Sequence, residues 1–157
     1  MKKLVSFRTA LTLGGAVLLM VLFTGRVEPQ DPSLDPNYGS VKLKAGFLSD
    51  PYTKQVTAGG NLKTNKGDLT AWISKAPDFK LTYEAGAFPL TIHVDSKADT
   101  TLLINLPDGT WIADDDSGGN LNPLLKFAKP QSGRYDIWVG TIGKENASAK
   151  LIITELK

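Results

Sequence analysis

The sequence predicts an all-β fold, an antiparallel β-sandwich of about seven or eight strands, and three observations support this prediction. The chain has 157 residues, which is enough for one domain with a sizeable core and too few for two large domains. It contains 15 glycines and 9 prolines but 2 methionines, and short Val, Ile, Leu and Thr runs lie between turn residues. No stretch after residue 30 shows a helical period of apolar residues.

The first 25 residues predict an export signal, a hydrophobic helix that precedes the domain. Lys2, Lys3 and Arg8 come before an uncharged apolar run of 17 residues, 9–25. A membrane-spanning helix needs about 20 such residues, so the run suits either a cleaved signal peptide or an uncleaved anchor in the inner membrane. No cysteine follows the run, which excludes a lipoprotein anchor. In both cases we expect a periplasmic or extracellular body that meets the membrane only through this segment.

Residues 26–37 predict a semi-rigid linker, and residues 38–157 predict the β-sandwich domain. The linker contains three prolines, each of which fixes its own backbone and disfavours helix in the residue before it. The chain has no cysteine, so the core must stabilise the domain without a disulfide, even in a compartment that allows one.

The charge of the exported body argues against nucleic-acid binding. Without Lys2, Lys3, Arg8 and Arg26, the chain keeps 14 basic and 16 acidic residues. Proteins that bind nucleic acids normally cluster Lys and Arg on one face. A slightly acidic body of this kind excludes nucleic acid as a partner.

Strands are predicted wherever apolar and polar residues alternate between turns, because one face of such a strand is buried. The first run alternates Val41, Leu43 and Phe47 with polar residues and glycine. Pro107-Asp108-Gly109 between two later runs is a strong hairpin signal. The predicted strands are, in order, 40–47, 79–84, 90–95, 101–106, 110–113, 124–127, 134–141 and 149–155.

The acidic loop 113–122 is the candidate metal site. Three successive carboxylates meet glycines that can adopt positive φ, so the loop could fold its oxygens inward. Ca²⁺ takes about six to eight oxygen ligands, which loops rich in Asp and Asn supply. A soluble β-connection is the alternative, since turns favour the same residues. The candidate calcium ligands are Asp114, Asp115, Asp116, Asn120 and Asn122, with Asp95 and Asp99 from a second acidic turn.

A serine hydrolase is a further alternative, which the sequence disfavours. Asp116-Ser117-Gly118-Gly119 resembles the nucleophile loop of trypsin-like proteases over four residues. Nucleophilic catalysis needs a base beside the serine, and the one histidine, His93, lies on the polar face of a predicted strand. The exported chain is also too short for the two barrels that enclose that family's site. We therefore expect no catalytic residue and no enzymatic activity.

The tryptophans are the candidate ligand-binding residues. Trp138 is predicted to face outward beside Asp136, and Trp111 precedes the acidic loop. An exposed Trp near polar groups can stack on a sugar ring or anchor a protein partner. Packing in the core is the alternative role for Trp111 and for Trp72, because large rings dominate sandwich cores.

Residues 98–155 resemble the bacterial pre-peptidase C-terminal domain, a small β-sandwich of jelly-roll type appended to secreted proteases. The similar segments are 98–104, 107–109, 114–119, 125–127, 132–139 and 149–154, in the family's order and spacing. The resemblance implies a non-catalytic module, and it supports Asp99 and residues 114–116 as calcium ligands. It also implies that apolar packing at Leu69 and Ala113 replaces a disulfide of exported relatives. Because residues 1–97 show no protease motif, we expect the module to act here without a protease domain in the same polypeptide.

The sequence therefore predicts a non-catalytic exported β-sandwich that binds a partner, with Ca²⁺ as a candidate cofactor. A carbohydrate-binding or protein-binding module that uses exposed Trp138 is the first alternative, and a serine hydrolase that uses Ser117 is the second. The partner, a protein or a glycan, is not identified by any motif.

Overall fold

The computed structural model describes residues 30–66 and 69–156, and this part of the chain folds into eleven β-strands with no helix. The all-β prediction is confirmed. The predicted N-terminal hydrophobic helix lies outside the described residues. The strands are β1 Ser40–Lys44, β2 Tyr52–Ala58, β3 Leu62–Lys66, β4 Leu69–Ile73, β5 Phe79–Glu84, β6 Leu90–Ser96, β7 Thr100–Asn105, β8 Trp111–Asp114, β9 Leu124–Phe127, β10 Gly133–Thr141 and β11 Ala147–Thr154.

The strands form two sheets. The larger sheet has the order β1-β5-β10-β4-β3, with β7 paired to β10 and β8 paired to β7, and the smaller sheet has the order β2-β11-β6-β9. All pairs are antiparallel except β1 with β5, which run parallel from Ser40↔Lys80 to Lys44↔Glu84. The expectation of a wholly antiparallel fold is wrong at this edge. A parallel pair needs a long crossover, and here the connection from β1 to β5 passes through β2 of the smaller sheet and the hairpin β3–β4 of the larger sheet.

The main core lies between the two sheets and explains the period-two pattern. Alternate residues of the central strands point inward and are buried, for example Leu81, Ile92, Ile137 and Leu151. Residues between them face outward, as a pleated strand requires. Burial of this apolar surface is the main source of stability in a chain without disulfides.

A second, smaller core lies on the outer face of the larger sheet. Trp138 of β10 and Leu103 of β7 point to this side, where Ala71 and Ile73 of β4 cover them. The hairpin β3–β4 thus folds over the sheet and adds a third layer. Leu69 and Ala113 lie in the same cluster, which agrees with apolar packing at these two positions.

Residues 30–38 lie against the domain. Thr64 Oγ1 donates to Oε1 of the buried Gln30 at 3.0 Å, and Tyr38 N donates to Asp78 O at 2.8 Å. Asn37 adds hydrogen bonds from both its backbone N to Pro77 O and its side chain to Asp78 Oδ1. This part of the predicted linker is therefore fixed to the larger sheet.

The Gly-x-Tyr segment at the start of β10 forms a tyrosine corner. The hydroxyl of buried Tyr135 donates to Gln131 O, four residues upstream, at 2.7 Å. Gly133 has a φ of 136° and leaves no room for a side chain against Pro107. The motif thus closes the turn into β10, a role that such corners have in other β-sandwiches.

Among residues 30–66 and 69–156, no helix is long and apolar enough to cross a membrane.

Candidate functional site

Three surfaces are candidates for function, and two of them lie at opposite ends of the sandwich. The acidic end consists of residues 95–99, 114–122 and 142–146. The apolar end consists of residues 45–51, 85–89 and 155. The third surface lies on the outer face of the larger sheet, beside the hairpin β3–β4.

At the acidic end, Asp114 and Asn122 hold the loop itself. Asp114 accepts hydrogen bonds from Ser117 N, Ser117 Oγ and Leu124 N at 3.1, 2.6 and 2.8 Å. Asn122 accepts from Thr100 Oγ1 at 2.7 Å and donates to the Ser96 carbonyl at 2.9 Å. Both side chains are occupied by contacts within the protein, which gives them a structural role.

The backbone of the loop turns through left-handed residues. Asn120 and Leu121 have φ values of 55° and 60°, and Gly119 has a φ of 79°. Asn tolerates this region better than most residues, whereas a Leu there is uncommon. The turn directs Leu121 into solvent, where about half of its surface is exposed.

The second acidic turn, 95–99, lies against the acidic loop, because Thr100 N donates to Leu121 O at 3.0 Å and Asn122 Nδ2 donates to Ser96 O at 2.9 Å. Burial raises the pKa of Asp99, and the charges of Asp116 and Asp115 raise it further. Asp99 Oδ1 is buried and accepts no hydrogen bond. Asp95 lies on the outer face of β6, where its Oδ2 is 3.6 Å from Lys150 Nζ.

The described ranges contain no group of three or more His, Asp or Glu side chains placed to hold a metal. The calcium site, with Asp114, Asp115, Asp116, Asn120, Asn122, Asp95 and Asp99 as ligands, therefore stays a prediction.

Ser117 and His93 take part in different contacts. The Ser117 hydroxyl donates to Asp114 Oδ1, so the serine faces a carboxylate. His93 lies on the smaller sheet between Ile152 of β11 and Leu124 of β9. Burial lowers its pKa, and Asp95 partly opposes this effect. Ser117 and His93 therefore do not form the serine–histidine contact that hydrolysis needs.

Trp138 is fully buried, so the expectation that it is exposed is wrong. Its indole packs on Trp111 with ring centroids 5.1 Å apart, and Nε1 donates to Lys75 O at 3.4 Å. Alternation along β10 predicts that its outer face is exposed to solvent, but the hairpin β3–β4 covers this face at Trp138. Trp111 is half-buried and keeps part of its surface accessible.

Asp136 is also buried, at 1% exposure, and lies on the same face as Trp138. Its carboxylate contacts Arg134 Nε at 3.0 Å and Lys80 Nζ at 3.8 Å. Burial raises the pKa of Asp136, while Arg134 and Lys80 oppose this rise. The structure therefore brings the predicted ligand-binding residues together, although two of the three are buried.

The apolar end was missed by sequence reasoning. Leu48 is fully exposed, and Phe88 and Leu156 are 51% and 60% exposed. Leu48 and Phe88 lie on two neighbouring turns: the Phe88 ring lies 3.7 Å from where a β-carbon of Gly46 would stand, and Leu48 follows Gly46 by two residues. Leu156 lies instead on the outer face of the smaller sheet, in a groove that it shares with His93, Leu124 and Thr154. The available signal was a large apolar residue within each of two Gly-containing turns, 45–49 and 85–89.

The loops of the apolar end are held in place by hydrogen bonds. Glu155 accepts from Gly46 N at 3.1 and 2.8 Å and from Tyr83 OH at 2.5 Å. Asp50 Oδ2 accepts from Glu155 N at 3.0 Å, and Ser132 Oγ accepts from Ala85 N at 2.9 Å. Glu155 and Ser132 thereby hold the two turns that carry Leu48 and Phe88.

The arrangement of the chain is similar to that of two solved inhibitors of g-type lysozyme. One is the periplasmic inhibitor PliG of Aeromonas hydrophila, which is 13% identical; the match covers 77% of this chain and 98% of that chain with a TM-score of 0.39. The other is a mutant of the Escherichia coli PliG, 15% identical over 74% of this chain and 97% of that chain with a TM-score of 0.34. Similarity at this level does not establish a common fold. No protein-family model and no curated protein matches the chain.

Proposed function

We propose that this protein is a non-catalytic domain that acts outside the cytoplasmic membrane and binds a protein partner through the apolar end. One observation carries the proposal: Leu48 and Phe88 expose large apolar side chains on two neighbouring turns, with the Phe88 ring beside Gly46. Contiguous exposed apolar surface is uncommon on a soluble domain and typically marks an interaction site. The N-terminal export signal expected from the sequence supports the location.

The apolar end has two further properties of a protein-binding surface. Its loops are fixed by the Glu155 and Ser132 hydrogen bonds, so little conformational entropy would be lost on binding. Lys44 and Glu84 form an exposed ion pair of 2.9 Å on the two strands that lead into these loops. A polar rim around an apolar centre is the usual composition of such interfaces.

The role of the acidic end supports a non-catalytic protein. Asp114 and Asn122 bind their own loop, and Ser117 donates to Asp114. The resemblance to the pre-peptidase C-terminal domain fits the same proposal, because members of that family are non-catalytic.

Site-specific photo-cross-linking in cells tests the proposal. A photoreactive residue is placed at Leu48 or Phe88, and the control positions are Leu121 and Ile142, exposed apolar residues at the opposite end. We expect a discrete protein adduct from positions 48 and 88 and none from 121 and 142. Equal adducts from both ends, or none at all, would contradict the proposal.

Once the partner in the adduct is identified, a binding measurement with that partner tests the apolar contacts directly. We expect Leu48→Ser with Phe88→Ser to weaken binding at least about tenfold, since each exposed side chain loses apolar burial. Leu121→Ser with Ile142→Ser is the control. A g-type lysozyme, the partner of the two solved inhibitors, is a further probe protein.

Calcium binding is a second candidate, and one observation favours it. The buried Asp99 Oδ1 has no hydrogen-bond partner and lies near Asp115 and Asp116, so a cation would neutralise clustered charge. Closure of loop 114–122 would be required to complete the site. We expect millimolar Ca²⁺, but not Mg²⁺, to raise the thermal midpoint measured in EDTA, and Asp116→Asn to remove the rise. An unchanged midpoint in Ca²⁺ would remove calcium from the function.

A further inference from the structure

Strand β2 forms a free edge of the smaller sheet. It is seven residues long and pairs with β11 alone among the described strands. The other outermost strands are shorter, since β1 and β3 have five residues each and β8 and β9 have four. A free edge presents unpaired backbone groups to which a further strand can bond.

The hydrogen-bond pattern of the smaller sheet shows which residues of β2 face the free side. In antiparallel strands, neighbouring residues direct their backbone groups to opposite sides. Val94 N donates to Pro123 O on the β9 side, so Leu151, which lies opposite Val94, directs its backbone groups to β2. Leu151 lies opposite Lys54, which therefore bonds to β11. The odd-numbered residues of β2 consequently point away from β11.

The free edge consists of Thr53, Gln55 and Thr57. Gly59, the next odd-numbered residue, donates to Val139 O at 2.9 Å, so the free edge ends before it. The side chains of the three edge residues lie on the outer face of the sheet, and all three residues are exposed. Both the backbone and the side chains of this edge are therefore accessible to another strand.

The free edge of β2 differs from other edges of the two sheets. Strand β1 carries the exposed Lys42 and Lys44, and lysines of this kind discourage pairing at an edge. In β9, Leu124 N already donates to Asp114 Oδ2 at 2.8 Å. Strand β2 contains no proline, and its one charged residue, Lys54, lies on the opposite face from the three exposed residues.

The outer face of β2 is complementary to itself in an antiparallel pair. When a two-fold axis passes beside Gln55, this residue lies opposite Gln55 of a second copy. Thr53 then lies opposite Thr57 of the second copy, and Thr57 opposite Thr53. Cross-strand Thr–Thr pairs are favourable, and no charges meet on this face.

The inner face of β2 selects the same register. Tyr52 lies opposite Ala58 of the second copy, a large side chain beside a small one, and Lys54 lies opposite Val56. A shift by two residues in one direction would place the two Lys54 side chains opposite each other, where like charges repel. A shift in either direction also leaves two residues of each strand without a partner. The register centred on Gln55 is therefore the one that pairs the whole strand.

We propose that β2 pairs with β2 of a second copy of this chain, in the antiparallel register centred on Gln55. The two smaller sheets then form one continuous sheet across a two-fold axis, and the interface is the same patch of both copies. Each opposed pair of edge residues exchanges two backbone hydrogen bonds. The pairing uses neither Leu48 nor Phe88, so it is tested independently of the proposed protein-binding function.

Cysteine cross-linking of the full chain in cells tests the register, because the chain has no cysteine of its own. Gln55→Cys places two thiols opposite each other, with Cα atoms about 5.5 Å apart, a separation that a disulfide can bridge. We expect a disulfide-linked dimer on a non-reducing gel after mild oxidation.

Thr53→Cys is the matched control for Gln55→Cys. Its two copies would lie four residues apart along the paired strands, about 13 Å at about 3.4 Å per residue, which is too far for a disulfide. We expect no dimer from Thr53→Cys or from Thr57→Cys alone. Thr53→Cys combined with Thr57→Cys should restore the linked dimer, because each thiol then faces one of the second copy.

A proline at position 55 tests the backbone hydrogen bonds. Gln55→Pro removes an edge N–H that does not bond to β11, so we expect the fold to be retained. The dissociation constant of the dimer, measured by sedimentation equilibrium on the purified protein, should rise at least about tenfold. Gln55→Thr keeps the N–H and should leave this constant unchanged.

If Gln55→Pro does not fold, as judged by circular dichroism, the cysteine variants decide. A parent chain that sediments only as a monomer, absence of a linked dimer from Gln55→Cys, or an equal yield of dimer from Thr53→Cys would each overturn the proposal. An unchanged dissociation constant in a folded Gln55→Pro variant would also overturn it.

Discussion

Asp78 is a buried carboxylate where three segments meet. It accepts hydrogen bonds from Asn37 Nδ2, Ser74 Oγ and Val139 N at 3.0, 3.3 and 2.8 Å. Burial raises its pKa to about 6, against an ordinary value of 3.8, and these hydrogen bonds oppose the rise. The side chain therefore links the N-terminal segment to β10, although its burial disfavours the charged form of the carboxylate.

This arrangement predicts a pH dependence of stability. The pKa of Asp78 is about 6 in the folded state and 3.8 as the ordinary value, so the folded state binds the proton more tightly between these pH values. The free energy of unfolding therefore falls as the pH rises from about 4 to 6, and it is constant at higher pH. The expected loss is on the order of 3 kcal/mol. Urea unfolding at several pH values measures it. Asp78→Asn should lack this component, and an identical pH profile in the variant would contradict the assignment.

The sequence suggested that the second acidic turn lies at the same end of the sandwich as the acidic loop, and hydrogen bonds of Thr100 and Asn122 join the two segments. Calcium binding by these residues stays a prediction. Exposure of Trp138 could not be predicted, because it depends on a hairpin that folds over β10 from elsewhere in the sequence. Leu48 and Phe88 were overlooked since an apolar residue in a turn is equally compatible with burial.

At the scale of elements, the hairpin β3–β4 reaches the larger sheet through Gly140. A β-carbon at this position would collide with Thr101 Oγ1 and come within 2.5 Å of Ile73 Cγ2 and 2.9 Å of the Trp72 carbonyl. The absence of a side chain lets β4 and β7 lie against the same point of β10. The register contact Thr141↔Trp72 follows directly from this approach.

Gly140→Ala should therefore destabilise the protein by about 1–3 kcal/mol, because the added methyl overpacks a fixed interface. Gly143→Ala is the matched control, since nothing lies within 4 Å of its would-be β-carbon. Urea unfolding followed by Trp fluorescence compares the two variants. Equal unfolding midpoints would show that the hairpin β3–β4 can move away from Gly140 and that its close contact with β10 does not contribute to stability.

All eight predicted strands are present; β5 and β9 have the predicted bounds, and the ends of the others differ by at most three residues. Alternation was a good guide for them because one face of each meets the main core. The structure adds β2, β3 and β4. In β2, Lys54 interrupts the apolar alternation, and β3 is largely polar. β4 does alternate, but its three buried residues, Leu69, Ala71 and Ile73, belong to the second core, which local sequence does not reveal.

At the scale of the whole molecule, the folded unit begins before the predicted domain boundary at residue 38. Gln30 is buried against Thr64, Asp31 N donates to Lys75 O at 2.9 Å, and Tyr38 packs on the main core. The proline-rich composition predicted a spacer. Tertiary hydrogen bonds override that tendency from residue 30 onward.

A chain that begins at residue 39 should consequently be less stable than one that begins at residue 27. Loss of the buried Gln30 and Tyr38 contacts is expected to cost about 3 kcal/mol or more, since each buried hydrogen bond contributes about 1 kcal/mol and Tyr38 adds apolar burial. Thermal unfolding of both chains provides the measurement. Matching midpoints would return residues 30–38 to a spacer role.

The two strands at the centres of the sheets are the last ones made. β10 bonds to β5, β7 and β4, and β11 lies between β2 and β6. Without residues 133–154 neither sheet is complete, because β10 joins β5 to β7 and β11 joins β2 to β6. The hairpins β3–β4 and β7–β8 are paired without these residues, but they do not enclose the main core. An incomplete polypeptide therefore lacks the compact state that would block its passage through a narrow secretion channel.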